Sequence, residues 1–64
     1  MITGEQYRIL RHKLGLSQSK LATELGSTTN TIYRIEKLDS VKPIYEYALR
    51  YLIERKYFRS IESN

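Results

Sequence analysis

Apolar side chains recur along this chain at three- and four-residue intervals, with polar residues filling the gaps. Tyr7, Leu10 and Leu14 form one such set, Leu21, Ala22 and Leu25 a second, and Ile32 with Ile35 a third. That spacing gathers each set onto one face of a helix. The first helix is predicted to start after Thr3, because Thr3 and Gln6 have the spacing of a capping box, and to end at Gly15. Ser17 is a good N-cap for a second helix beginning at Gln18 and reaching about Leu25, where Gly26 closes it. Ser27 or Thr28 caps a third, spanning about 28–37. Residues 38–42 connect to a fourth, about 43–57, for which Pro43 suits the first turn. There is no strand-like alternation, no repeat and no low-complexity segment. The prediction is an all-α domain over residues 1–58, with a polar tail at 59–64 that frays.

The second and third helices carry the most specific pattern. They are short, and Gly26 between them supplies the positive φ that a tight turn needs. Helices folded this closely leave one of them projecting a polar face, here Thr29, Asn30, Tyr33 and Arg34, which is the outline of a helix-turn-helix. The fourth helix reads differently. Ile44, Tyr45, Ala48, Leu49 and Leu52 make a broad apolar face that Tyr47, Tyr51 and Phe58 extend sideways. Glu46, Arg50 and Glu54 form a narrow polar strip, with Arg50 four residues from each acid. So wide an apolar arc exceeds what a surface helix of a small monomer needs. Homodimerisation through Tyr47, Tyr51 and Phe58 is the expectation.

Size and charge narrow the classes. Sixty-four residues hold one small core, marginal alone without idealised packing or a partner. The net charge of +4 and pI near 9.6 favour a polyanionic partner without naming it. With no cysteine and a single histidine, His12, neither a disulfide framework nor a zinc site is expected. No apolar run approaches the roughly 20 residues of a membrane span, and no signal-peptide pattern opens the chain. The expectation is a cytoplasmic, nucleoid-associated protein without cofactor, membrane or small-molecule substrate. No nucleophile–base spacing, phosphate loop or metal cluster points to an enzyme.

The stretch LSQSKLATELGSTTNTIYRIEK, residues 16–37, resembles the helix-turn-helix of the lambda-repressor-like (Cro/CI, XRE) transcription regulators. The marks are Leu16, Ser17 and Gln18, then Leu21 and Ala22, Gly26, Ile32, and Ile35 with Glu36, all in register. The resemblance extends from Tyr7 to about Leu52 and implies a compact fold of four or five helices that binds operator DNA, commonly as a dimer. It places the third helix in the major groove, with Thr28, Thr29, Asn30, Tyr33 and Arg34 at base-facing positions. Arg34 suits guanine O6 and N7, Asn30 suits adenine, and Thr29 can bond a base edge or touch a thymine methyl. Ser17 and Gln18 fall at a helix N-terminus, where free N–H groups suit a phosphate. Thr31, Lys37 and Lys42 fall where relatives contact the DNA backbone. It also implies a structural salt bridge between Arg11 and Glu36.

Two positions depart from the family pattern. Leu38 and Asp39 stand where relatives often carry glycine, so either the third helix runs longer or Leu38 turns inward. Ile9 is apolar where polar residues are usual, which suggests a further contact with the fourth helix or a partner. The implied function is a sequence-specific regulator, a repressor acting as a homodimer on an inverted repeat in double-stranded DNA. Small members of this kind often come from phages, mobile elements or toxin–antitoxin operons. The alternative is an antitoxin or other protein-interaction module with the helix-turn-helix as scaffold, for which Tyr57, Phe58 and Ile61 offer a partner-binding segment.

Overall fold

In a computed structural model, which describes residues 1–62 and their side chains through residue 59, the chain forms four helices. These are α1 (Gly4–Leu14), α2 (Gln18–Leu25), α3 (Thr29–Ile35) and α4 (Pro43–Glu62). Ile61 is therefore outside the described side chains, and Ser63 and Asn64 are outside the described residues altogether. No strand is present among the described residues.

Each early boundary has a local cause. The Thr3 hydroxyl accepts from the Gln6 N–H at 3.1 Å, while the Gln6 side chain accepts from the Thr3 N–H at 2.9 Å, a complete capping box. Gly15 stops α1 with φ of 73°. Ser17 caps α2 by accepting from the Lys20 N–H at 3.1 Å. Gly26 ends that helix with φ of 66°, and Ser27 N–H then donates to the Ala22 carbonyl at 2.8 Å. That long return bond is the signature of a helix closed by a left-handed glycine. Thr28, rather than Ser27, caps α3.

Later boundaries differ from the expectation. α3 ends at Ile35, two residues early, with Glu36 as its C-cap in the right-handed region. Lys37 and Leu38 continue as tighter turns, their N–H groups donating to Arg34 and Ile35 carbonyls, each at 3.1 Å, the i→i+3 pattern common at helix ends. Positive φ among the described residues occurs only at Gly15 and Gly26. The turn after α3 thus needs no glycine, and leucine and aspartate are accommodated there. Helix α3 does not run longer, nor is Leu38 buried: it is 44% exposed. At the other end, α4 continues to Glu62, so residues 59–62 are helical rather than a frayed tail. No glycine or proline follows Pro43 to stop the helix, and Arg59 and Glu62 are good helix formers.

The core joins Tyr7 and Leu14 of α1, Leu21 and Ala22 of α2, Ile32 and Ile35 of α3, Val41 and Leu49. Leu21, Ile32, Val41 and Leu49 are fully buried, each side chain contributing about 1.5–3 kcal/mol by its removal from water. Helix α2 packs on α3 and α1 on α4. The inward face of α4 is displaced around the helix from the expected one: Leu49 is buried, Tyr45, Ala48, Leu52 and Ile53 are partly buried, and Ile44 is turned outward. Ile9 stays half-exposed, outside the core. Burial also leaves the Tyr7 hydroxyl without a protein hydrogen-bond partner. Its pKa is pushed up to about 12, chiefly by desolvation and secondarily by the nearby Glu36 carboxylate.

The N-terminus is stitched to the α3–α4 connection. Gly4 N–H donates to the Leu38 carbonyl at 2.8 Å, and Val41 N–H to the Ile2 carbonyl at 2.7 Å. Gly4 serves close approach and not chain reversal: a Cβ there would lie 2.6 Å from the Glu36 carbonyl carbon and oxygen. Glycine to alanine inside a helix ordinarily stabilises by about 0.5–1 kcal/mol. Here Gly4→Ala should instead destabilise by about 1–3 kcal/mol through overpacking against backbone. Thermal unfolding followed by circular dichroism checks the sign, and a raised melting temperature would contradict this packing.

Candidate nucleic-acid interface

Helix α3 is divided by its own periodicity. Ile32 and Ile35 face the core at 0% and 3% exposure, fixing the rotation of the helix. Thr29, Asn30, Tyr33 and Arg34 are therefore exposed together, as a polar set that the packing of two isoleucines holds in place. Arg34 makes no ion pair among the described residues. The remaining expected base-facing residue, Thr28, has a structural duty as well. Its hydroxyl accepts from the Thr31 N–H at 3.2 Å and lies 3.0 Å from the Thr31 hydroxyl. Thr28 and Thr31 thus form a unit that starts α3 and orients its first turn.

Behind this face lies a buried polar node. The Arg11 Nε donates to Glu36 Oε2 at 2.6 Å, and Arg11 Nη2 to Glu36 Oε1 at 3.1 Å. The two side chains are only 8% and 4% exposed. Arg11 Nη1 also donates to the Leu16 carbonyl at 2.9 Å. Gln18 then reaches the same carboxylate, its Nε2 donating to Glu36 Oε1 at 3.1 Å. A single carboxylate thereby fixes α1, the α1–α2 turn, the first residue of α2 and the end of α3. Gln18 is held by one amide hydrogen, which leaves the second hydrogen and the amide oxygen for another partner. Ser17 is exposed beside it, its hydroxyl engaged in capping.

The expected phosphate contacts do not form one cluster. Gln18 and Lys37 line the same cleft, together with Tyr33, Glu36, Glu5 and Arg8. The Lys37 Nζ sits over the Tyr33 ring, 5.2 Å from its centroid, a cation–π arrangement that joins an expected base contact to an expected phosphate contact. Lys42 is exposed at the other end of the connection, its carbonyl accepting the first turn of α4 from Tyr45 N–H at 3.0 Å. Tyr47, Tyr51 and Phe58, the expected dimer contacts, are 66%, 63% and 59% exposed on α4. Arg50 is ion-paired with Glu46 at 2.8 Å.

Three participants were not singled out from the sequence. Val41 belongs to the core, Gly4 admits α1 against the end of α3, and Lys56 Nζ donates to the Leu14 carbonyl at 2.9 Å. The last places a cation at the C-terminus of α1, where it complements the helix dipole and ties α4 to the domain. The Lys56 and Gly4 contacts depend on partners more than thirty residues away, which local patterning does not reveal. Val41 lies between helices and carries no periodic signal. A proline two residues later and an isolated β-branched residue were the hints available.

A capped helix, a left-handed glycine turn and a second helix with one buried and one exposed face define a helix-turn-helix protein. The Helix-turn-helix family model, HTH_3, matches residues 6–43. The chain belongs to this family, of the Cro/CI and XRE type, whose members are DNA-binding regulators. No curated protein and no solved structure matches it. No helix among the described residues is long and apolar enough to cross a membrane.

The node makes a stability prediction that is independent of DNA. Arg11→Ala leaves Glu36 buried with its main partner gone, and should cost about 3–5 kcal/mol. Arg11→Met combined with Glu36→Leu removes both charges and should recover much of that loss. Denaturant unfolding of the three proteins checks this; an Arg11→Ala variant as stable as the parent would contradict a structural role for the pair.

Proposed function

We propose that this protein is a sequence-specific transcriptional repressor that binds an inverted-repeat operator as a homodimer, with α3 in the major groove. The observation carrying this reading is the split face of α3: two buried isoleucines set its rotation, so that Asn30, Tyr33 and Arg34 are presented together from a helix of DNA-groove size. Arg34 has the geometry for a bidentate contact to guanine and Asn30 for adenine. Ser17, Gln18, Thr31, Lys37 and Lys42 position the domain on phosphates. Location in the cytoplasm, at the nucleoid, follows from this role.

The homodimer reading draws on the outward stripe of α4. Ile44, Tyr47, Tyr51 and Phe58 fall within about 60° of arc at 100° per residue, and all four are well exposed. Exposed apolar surface of this kind is characteristic of an interface. With two copies of α3 related by a dyad, half-sites lie about 10 base pairs apart, centre to centre. An antitoxin would instead use the C-terminal stretch Tyr57, Phe58 and Ile61 for a different protein.

Selection of binders from a random duplex library at physiological salt tests the main reading. It should enrich an inverted repeat of that spacing; failure to enrich any sequence would contradict it. On the selected duplex, Arg34→Ala should cost about 1–3 kcal/mol and relax specificity at one position of each half-site. Lys37→Ala should instead weaken binding evenly on all sequences. Equal losses everywhere for Arg34→Ala would remove its base-reading role.

Sedimentation equilibrium tests the dimer separately. The protein should be dimeric at micromolar concentration without DNA, and Tyr51→Glu should make it monomeric while preserving its helicity. A monomeric parent would overturn the α4 interface and turn attention to a protein partner.

A further inference from the structure

The cleft of about 290 Å³ between the start of α1, the start of α2 and α3 includes two charged residues of α1, Glu5 and Arg8, to which the family resemblance assigns no role. Its walls are Glu5, Arg8, Gln18, Tyr33, Glu36 and Lys37. The Glu36 carboxylate is already matched by Arg11 through two hydrogen bonds, so its charge is answered from within the fold. The cations facing the opening are Arg8 and Lys37, with the spare amide hydrogen of Gln18 between α1 and α3. Only Glu5 opposes them.

Arg8 is weakly held. Its Nη2 lies 3.4 Å from Glu5 Oε1, and the side chains are 48% and 74% exposed. Charge-assisted bonds of this type are ordinarily about 2.7–2.9 Å long, and exposed pairs one helical turn apart are readily exchanged for another partner. A guanidinium also presents a planar fork that matches two oxygens of a phosphodiester. Because Gln18, Tyr33 and Lys37 line the same cleft and belong to the proposed DNA-facing set, a duplex seated on α3 brings its backbone to this opening.

We infer that Arg8 of α1 is an additional DNA-backbone contact, and that Glu5 holds it in the free protein and releases it to a phosphate on binding. This rests on the reading of α3 as the groove-binding helix. It adds α1 to a contact surface otherwise formed by α2, α3 and the connection, and it gives the domain an acidic residue that restrains its affinity. Contact with a phosphate carries no base information, so Arg8 contributes equally on all sequences.

The test measures affinity for the selected duplex and for an unrelated duplex across a salt series. It compares the parent with Arg8→Ala, Glu5→Gln and Lys13→Ala. Lys13→Ala is the charge-matched control: it lies on the same helix, about 140° around from Arg8, and does not line the cleft. Arg8→Ala should flatten the slope of log affinity against log salt by about 0.9, the value for one lost phosphate contact. It should also weaken both duplexes by the same factor. Glu5→Gln should tighten binding, and Lys13→Ala should leave the slope unchanged. An Arg8→Ala slope equal to that of the parent or of Lys13→Ala, or a Glu5→Gln affinity no tighter than the parent's, overturns the inference. If the parent binds duplex DNA and Arg8→Ala matches it, the α3 reading stands and only the role of Arg8 falls. A parent that binds no duplex removes both.

Discussion

The bidentate pair between Arg11 and Glu36 is the contact on which the geometry of this small domain depends. Removing two charges from water is costly, and a buried pair of this kind is weak grounds for net stability. What it supplies is position. Glu36 sits just beyond the last turn of α3, and its carboxylate meets groups from α1 and α2 that a hydrophobic contact would hold less specifically. Arg11 adds the Leu16 carbonyl, which otherwise lies at an unpaired turn between helices. Gln18 completes the node, so the first residue of α2 is registered against the residue that follows α3. The two helices of the helix-turn-helix are thereby fixed to each other through a third.

Around that node the apolar core sets rotation, and the stitched N-terminus sets separation. Ile32 and Ile35 decide which side of α3 is exposed. Gly4 lets the start of α1 reach the backbone of Glu36, and the bonds to Leu38 and Val41 hold the connection after α3 in place. Lys56 secures the long α4 to the end of α1. The outcome is a domain with two distinct exposed surfaces: a polar one on α3 and an apolar stripe along α4. The first is the surface proposed for DNA and the second the one proposed for a copy of the same chain.

Where information is local, the sequence was legible. The capping box at Thr3, the caps at Ser17 and Thr28, and the left-handed glycines at positions 15 and 26 each act within a few residues. The first three helices therefore began where their cap residues indicated. The partition of α3 into buried isoleucines and exposed polar residues followed from periodicity alone. The pairing of Arg11 with Glu36 came from the family resemblance, since nothing local joins residues twenty-five apart. Helix ends were less legible. The turn after α3 is shaped by its bonds to the N-terminus, and α4 continues past its expected end because no glycine or proline stops it. The inward face of α4 was read on the wrong side of its arc: which edge of a broad apolar face turns inward, that of Ile53 and not that of Ile44, is decided by the neighbouring helices.

On the proposed reading, one face of this domain meets DNA through α3 and the start of α2, while the α4 stripe does not. Amide chemical-shift mapping by NMR, on titration with the selected duplex, examines both halves together. Large shifts are expected at Gln18, Thr29 to Arg34 and Lys37, with Ile44, Tyr47 and Tyr51 unmoved. Shifts concentrated along α4, with α3 silent, would contradict it.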